Sequence, residues 1–142
     1  MDPKQVIVMR TDTTPKMRKG KMIAQGAHAS LGVIFNYMSP EWGLFTVKNG
    51  DKYKYQLWLP EGEVGENMRK WIEGSFVKIV VGGTLSEVVE SYEKAKVAGI
   101  PCSLIEDKGL TEFGGEITIT CCGIGPDDPE KIDKITGHLS LL

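Results

Sequence analysis

Arg18-Lys19-Gly20-Lys21-Met22-Ile23-Ala24-Gln25-Gly26-Ala27-His28-Ala29-Ser30 decides how the chain is read. It follows an apolar run, Val6 to Met9, that reads as part of a strand from Gln5 to Arg10. Between them, Thr11-Asp12-Thr13-Thr14-Pro15 is a loop, with Pro15 fixing its backbone angle. A helix is expected from about Lys19 to Asn36, ended by Ser39-Pro40 and Gly43. Lys21, Gln25 and His28 are spaced i, i+4, i+7 and share one helix face. Ile23, Ala27, Ser30, Leu31 and Ile34 form another stripe, small or apolar, suited to packing on a sheet. A strand, a short basic loop and a helix whose first turn carries Lys21 suit an anion, because free N–H groups, the helix dipole and the lysines all favour negative charge. The plain alternative is a surface loop with solvated lysines.

The charge distribution supports a local site. The 142 residues carry a net charge of −2, which excludes a generally basic nucleic-acid coat. Residues 1–21 nevertheless hold six Lys/Arg against two acids, so the basic charge gathers around the opening stretch. Such a patch can guide a phosphate-bearing ligand onto an acidic protein. Three cysteines, Cys102, Cys121 and Cys122, fit neither a disulfide framework nor a zinc site and read as small core residues. With two histidines a His-rich metal centre is not expected. No apolar run is long enough to span a membrane, and the N-terminus lacks a signal-peptide core, so an intracellular, cytoplasmic protein is expected.

Further along, Leu44 to Val47 and Tyr53 to Trp58 flank Asn49-Gly50-Asp51, a strong local hairpin signal. A turn at 61–65 precedes a short helix, about Glu66 to Glu73, expected to bury Met68, Trp71 and Ile72. Phe76 to Val81 reads as a buried strand. Thr84 or Ser86 would cap a helix from Ser86 to Ala98, stopped by Gly99. Strands follow at Cys102–Ile105 and Glu116–Ile124, then a last helix to about Thr136 with acids in its first turn. Strands alternating with helices predict one α/β domain, residues 1–142, with helices on both faces of a small sheet.

Ligand sites in open α/β sheets gather outside the carboxyl ends of parallel strands. That brings Lys21 and Asp107 toward one crevice, with Thr111 and Thr118 able to join them. A carboxylate, a lysine and hydroxyls can activate water and stabilise an oxyanion. Alternatively, Asp107 caps a turn before Gly109.

The sequence resembles the archaeal and eukaryotic-type (type 2) peptidyl-tRNA hydrolases. The resemblance is carried by Lys4 to Asp12, Lys19 to Ala29, Tyr92 to Pro101, Ser103 to Asp107 with Thr111, Gly123-Ile124-Gly125-Pro126, and Asp133 to Leu139, in order along the chain. It implies a three-layer α/β/α domain with a four-stranded mixed sheet, often a homodimer. The implied activity is hydrolysis of the ester joining peptide to tRNA, with peptidyl-tRNA as substrate and without a metal or organic cofactor. By position it implies catalytic roles for Lys21, Asp107 and Thr111, and substrate contacts from Lys19, Gln25, His28 and Thr118.

The chain departs from the family pattern in places. Leu110 stands where an arginine is usual, Gly114-Gly115 replaces a proline-containing turn, and Arg18 replaces a glycine. The hairpin-like segment around 43–65 is an insertion; its Tyr53, Tyr55 and Trp58 would cover the core or a dimer contact, or stack on nucleotide bases. These departures keep open a second reading, a catalytically impaired relative that binds RNA or protein. A nucleotide-binding α/β protein is a weaker third, because the basic loop lacks both phosphate-loop spacing and the dinucleotide fingerprint.

Overall fold

The computed structural model describes residues 2–47, 49–109 and 113–142, with side chains throughout except at 45–47. Its elements run β1 (Lys4–Arg10), α1 (Lys19–Tyr37), β2 (Ser39–Val47), β3 (Gly50–Trp58), α2 (Gly62–Glu73), β4 (Lys78–Gly83), α3 (Leu85–Val97), β5 (Cys102–Asp107), β6 (Thr118–Asp127) and α4 (Pro129–Thr136).

Four strands form one mixed sheet in the order β4-β1-β6-β5. β1 and β4 are parallel, and β6 runs antiparallel to both β1 and β5. β1, β4 and β5 therefore end at the same edge. The middle of β1, Val6 to Met9, is apolar because both of its faces are covered. Val6 and Val8 join Cys122 and Ile124 under α3 and α4, where Val88, Ala95, Ile132 and Ile135 complete the larger core. Ile7 and Met9 face the other way, in a cluster with Ala29 of α1, Cys121 and Phe113. This is the expected α/β/α sandwich.

α1 packs on the sheet with a face that only partly overlaps its expected apolar stripe: Ser30 is buried and Ile34 partly so, but Ile23 and Leu31 are not. Its buried residues are Gln25, Gly26, Ala29, Ser30 and Val33, whereas Ile23 is 73 % exposed and Leu31 54 %. The reason is close approach. A Cβ at Gly123 would lie 2.7 Å from the Ala29 carbonyl oxygen, and Ser103 Oγ donates to that oxygen at 2.7 Å. Small or hydrogen-bonded residues take this close approach, and Ile23 and Leu31 lie on the outside.

β4 likewise is an edge strand, with Val80 37 % exposed, rather than a buried one. The C-terminal residues pair along it: Gly82 N–H donates to the Ser140 carbonyl at 2.9 Å and Leu142 N–H to Val80 at 3.1 Å. α2 starts earlier than its pattern suggests. It buries Met68 and Trp71, whose Nε1 donates to the Val77 carbonyl at 2.8 Å, but leaves Ile72 46 % exposed. Thr84, not Ser86, caps α3 in a reciprocal capping box with Glu87.

β2 and β3 form a separate two-stranded arm, paired from Ser39↔Trp58 to Val47↔Gly50. The hairpin read from Asn49-Gly50 is therefore present, and each strand is longer than the apolar runs suggested.

Candidate active site

Lys21 stands in the first turn of α1 and Asp107 is the last residue of β5. Lys21 Nζ lies 2.6 Å from Asp107 Oδ2, and the two side chains are only 11 % and 14 % exposed. The pair sits outside the common carboxyl edge of β1, β4 and β5, where open α/β sheets hold their ligands. Phe113, 6 % exposed, forms one wall, with its ring centroid 5.8 Å from Lys21 Nζ, within cation–π reach. Met17 and Met22 pack in the same cluster. The ion pair thus lies in surroundings drier than the surface, where electrostatic forces act more strongly than in water.

Asp107 Oδ2 is buried, and among the described residues no group meets it with full hydrogen-bond geometry. Its contact with the ammonium is ionic. A carboxylate oxygen has two lone-pair directions, so it retains capacity to accept from a water or a hydroxyl.

The start of α1 suits an anion. Arg18, the N-cap residue, makes no side-chain cap, and the first turn has no acid to compete. Lys16, Arg18 and Lys19 are exposed around it. The preceding loop is braced by Arg10, whose Nε donates to Asp12 Oδ1 at 2.7 Å and whose Nη1 donates to the Ile119 carbonyl at 3.2 Å. Asp12 Oδ1 also accepts from Leu85 N–H at 3.1 Å. The hydrogen bond from Arg10 holds the Asp12 carboxyl below its ordinary range.

Among the other residues singled out from the sequence, Thr118 pairs directly with Asp107 across β5 and β6, half-buried, and its Oγ1 donates to the Glu116 carbonyl at 3.2 Å. Gln25 is 4 % exposed and already engaged: Thr120 Oγ1 donates to its Oε1 at 2.6 Å, and Cys121 Sγ to its carbonyl at 3.3 Å. His28 is exposed, roughly 10 Å beyond Lys21 at 1.5 Å per residue. Lys19 is exposed and borders a groove on the other flank of α1. Thr111 and Leu110 lie outside the described residues.

The sequence reading missed Thr120. The register shifts where Ile105↔Cys121 gives way to Glu106↔Ile119, skipping Thr120. This bulge lets consecutive residues, Thr120 and Cys121, both reach Gln25 of α1. Lys21 lies one turn before Gln25 on the same helix. Phe113 was missed as well; its glycine-flanked loop gives no periodic signal. Among the described residues, no group of three or more His, Cys, Asp or Glu is placed to hold a metal, and no helix is long and apolar enough to cross a membrane.

A three-layer α/β/α fold carrying a secluded lysine–aspartate pair beside a basic helix start has the parts to attract an anion and to place a carboxylate beside a bound water. The family model for "Peptidyl-tRNA hydrolase PTH2" matches residues 3–142, and the chain belongs to that family. A peptidyl-tRNA hydrolase of Methanothermobacter thermautotrophicus is 43 % identical over 140 residues, spanning 98 % of this chain and 99 % of that one. One from Methanocaldococcus jannaschii is 37 % identical over 140 residues, with the same coverage. Among solved structures, an Agrobacterium protein of unknown function superposes with a TM-score of 0.53 at 11 % identity, covering 100 % of this chain and 98 % of the other; that likeness concerns the fold alone.

Proposed function

We propose that this chain, acting as one domain, hydrolyses the ester bond joining a peptide to tRNA and so returns free tRNA. The observation that carries the reading is the 2.6 Å pairing of Lys21 with Asp107 at the carboxyl edge of the sheet, in a chain of this family. Asp107 orients a water and accepts its proton as the water oxygen attacks the ester carbonyl carbon. Lys21 stabilises the oxyanion that forms, or holds the terminal phosphate. Collapse of that intermediate breaks the bond to the ribose oxygen, which takes the proton from Asp107. Thr111 and Thr118 assist in positioning the water. Nothing favours an impaired relative, since both members of the pair are present and in contact.

The tRNA backbone binds across Lys16, Arg18 and Lys19 without sequence being read, so affinity falls as salt rises. The enzyme works in the cytoplasm as a homodimer and needs no cofactor. The test is incubation of purified protein with an N-acetyl-aminoacyl-tRNA. The reading predicts release of free tRNA and acylated amino acid; a folded protein that binds the substrate and releases nothing contradicts it.

A further inference from the structure

The β2–β3 arm is divided cleanly into two faces. Directly paired residues of an antiparallel ribbon share a face. Trp42↔Tyr55, Leu44↔Tyr53 and Pro40↔Leu57 therefore line one side, which carries no charge until Asp51 at the turn. Glu41, Lys52, Lys54 and Gln56 line the other, with Trp58 Nε1 donating to Glu41 Oε2 at 2.8 Å. Such alternation marks a ribbon with one solvated face and one covered face.

Only the root of the apolar face is covered. Leu57 packs with Val33, Met38 and Met68 of the body. Further out, Trp42 is 68 % exposed, Leu44 55 %, Tyr53 76 % and Tyr55 61 %. Nine residues per strand span about 30 Å, and a two-stranded ribbon of this kind is marginal alone in water. Trp42 and Tyr53 touch each other, ring centroids 6.1 Å apart, and that contact leaves most of each ring exposed.

The same molecule has a matching hollow. α1 leans over β5 and β6, leaving the β1–β4 half of its sheet face bare. A groove of about 760 Å³ runs there, lined by Ile7, Met9, Ile23, Leu31, Val80 and Leu142 among others. Leu31 and Phe76 also line a second hollow of about 420 Å³ that reaches Leu57 at the root of the arm. The two hollows share Leu31 and Phe76 and so join groove to arm, with Lys19, Lys78, Arg69 and Glu73 also in their walls.

We infer that the covering partner is a second copy of this chain, with each arm's Trp42–Tyr55 face laid on the other copy's α1–β4 groove. This rests on the homodimer reading above and specifies how it is built. Area supports it: aromatic side chains bury roughly 150–250 Å² each, so the half-to-three-quarters-exposed rings of Trp42, Tyr53, Tyr55 and Phe76, with the aliphatic groove, approach the roughly 800 Å² per partner of a stable interface. Self-complementarity supports a second copy, because an isologous contact needs a knob and a hollow on the same chain. Charge placement disfavours RNA: Lys52 and Lys54 lie on the face opposite the aromatics, whereas a base-stacking platform needs cations alongside its rings. The root of the arm also lies at the far end of α1 from Lys21, about 24 Å along its axis.

The test is sedimentation equilibrium of the full chain, with Trp42→Glu and Leu31→Glu variants checked for native circular dichroism. Both positions are exposed, so both variants fold. The wild type is expected at twice the chain mass, and each variant's dimer dissociation constant is expected to rise about 30-fold or more, as for an aromatic hot spot. Mixing the two variants restores a heterodimer, in which one wild-type arm meets one wild-type groove. A monomeric wild type overturns the homodimer reading along with this one. A dimer indifferent to Trp42→Glu overturns the arm alone, as does a variant whose dimer is intact but whose tRNA binding is weakened.

Discussion

Lys21 and Asp107 meet at 2.6 Å although one begins a helix and the other ends a strand on the far side of the sheet order. The contact exists because β1 and β5 run the same way, so the loop after β1 and the end of β5 open onto one edge. Two consequences concern stability. A secluded ion pair that loses one partner leaves the other charge uncompensated. Lys21→Met and Asp107→Leu should each lower unfolding free energy by about 1–3 kcal/mol, below the full buried-pair cost because both groups keep some solvent contact. The double substitution should cost clearly less than the two together. Urea unfolding of the four proteins gives the cycle; additive losses would mean the pair is energetically uncoupled.

Thr120 is expected to act through Gln25. Thr120→Val removes the hydrogen bond to Gln25 Oε1 and leaves a buried carbonyl unsatisfied, costing about 1–3 kcal/mol. It should also lower kcat while leaving KM nearly unchanged, because α1 then holds Lys21 less firmly. Thr120→Ser, which keeps the hydroxyl, should recover most of both. Equal behaviour of the valine and serine variants would remove Thr120 from any positioning role.

The cysteines are expected to take no part in catalysis. Burial pushes the Cys121 thiol up to about 11, and it raises Cys102 and Cys122 as well. All three are buried thiols, so iodoacetamide at pH 8 should leave the native enzyme active and unlabelled, while urea exposes all three to reaction. The sign for stability follows from the same shift. The unfolded chain loses its thiol protons near 9 and the folded one only near 11 for Cys121, so stability is full below 9 and falls between those values. Rapid labelling of native protein by one equivalent of reagent would contradict this.

Much of the architecture was legible in the sequence because its signals are local. The β-branched run of β1, Asn49-Gly50 in the arm and Thr84 before Glu87 each act through neighbouring residues. The face that α1 presents to the sheet was not legible. Helical periodicity offers two stripes, and the choice depends on how closely Ala29 approaches Gly123, a contact between distant segments. Thr120 was hidden for a related reason. A strict two-residue alternation cannot reveal a bulge, and the bulge is what lets Thr120 and Cys121 both reach α1. Of the candidate site, Lys21 and Asp107 followed from strand ends alone, whereas Phe113 required the fold of a loop.

The central claim is that Lys21 and Asp107 together carry ester hydrolysis. Single-turnover release of tRNA from N-acetyl-aminoacyl-tRNA measures it most directly, with wild type, Lys21→Ala, Asp107→Ala and the double variant, all shown to be folded. Each single substitution should slow release by about 10²-fold or more, and the double should be little slower than either, as for groups acting as a unit. Near-native rates from either folded single variant would contradict the claim.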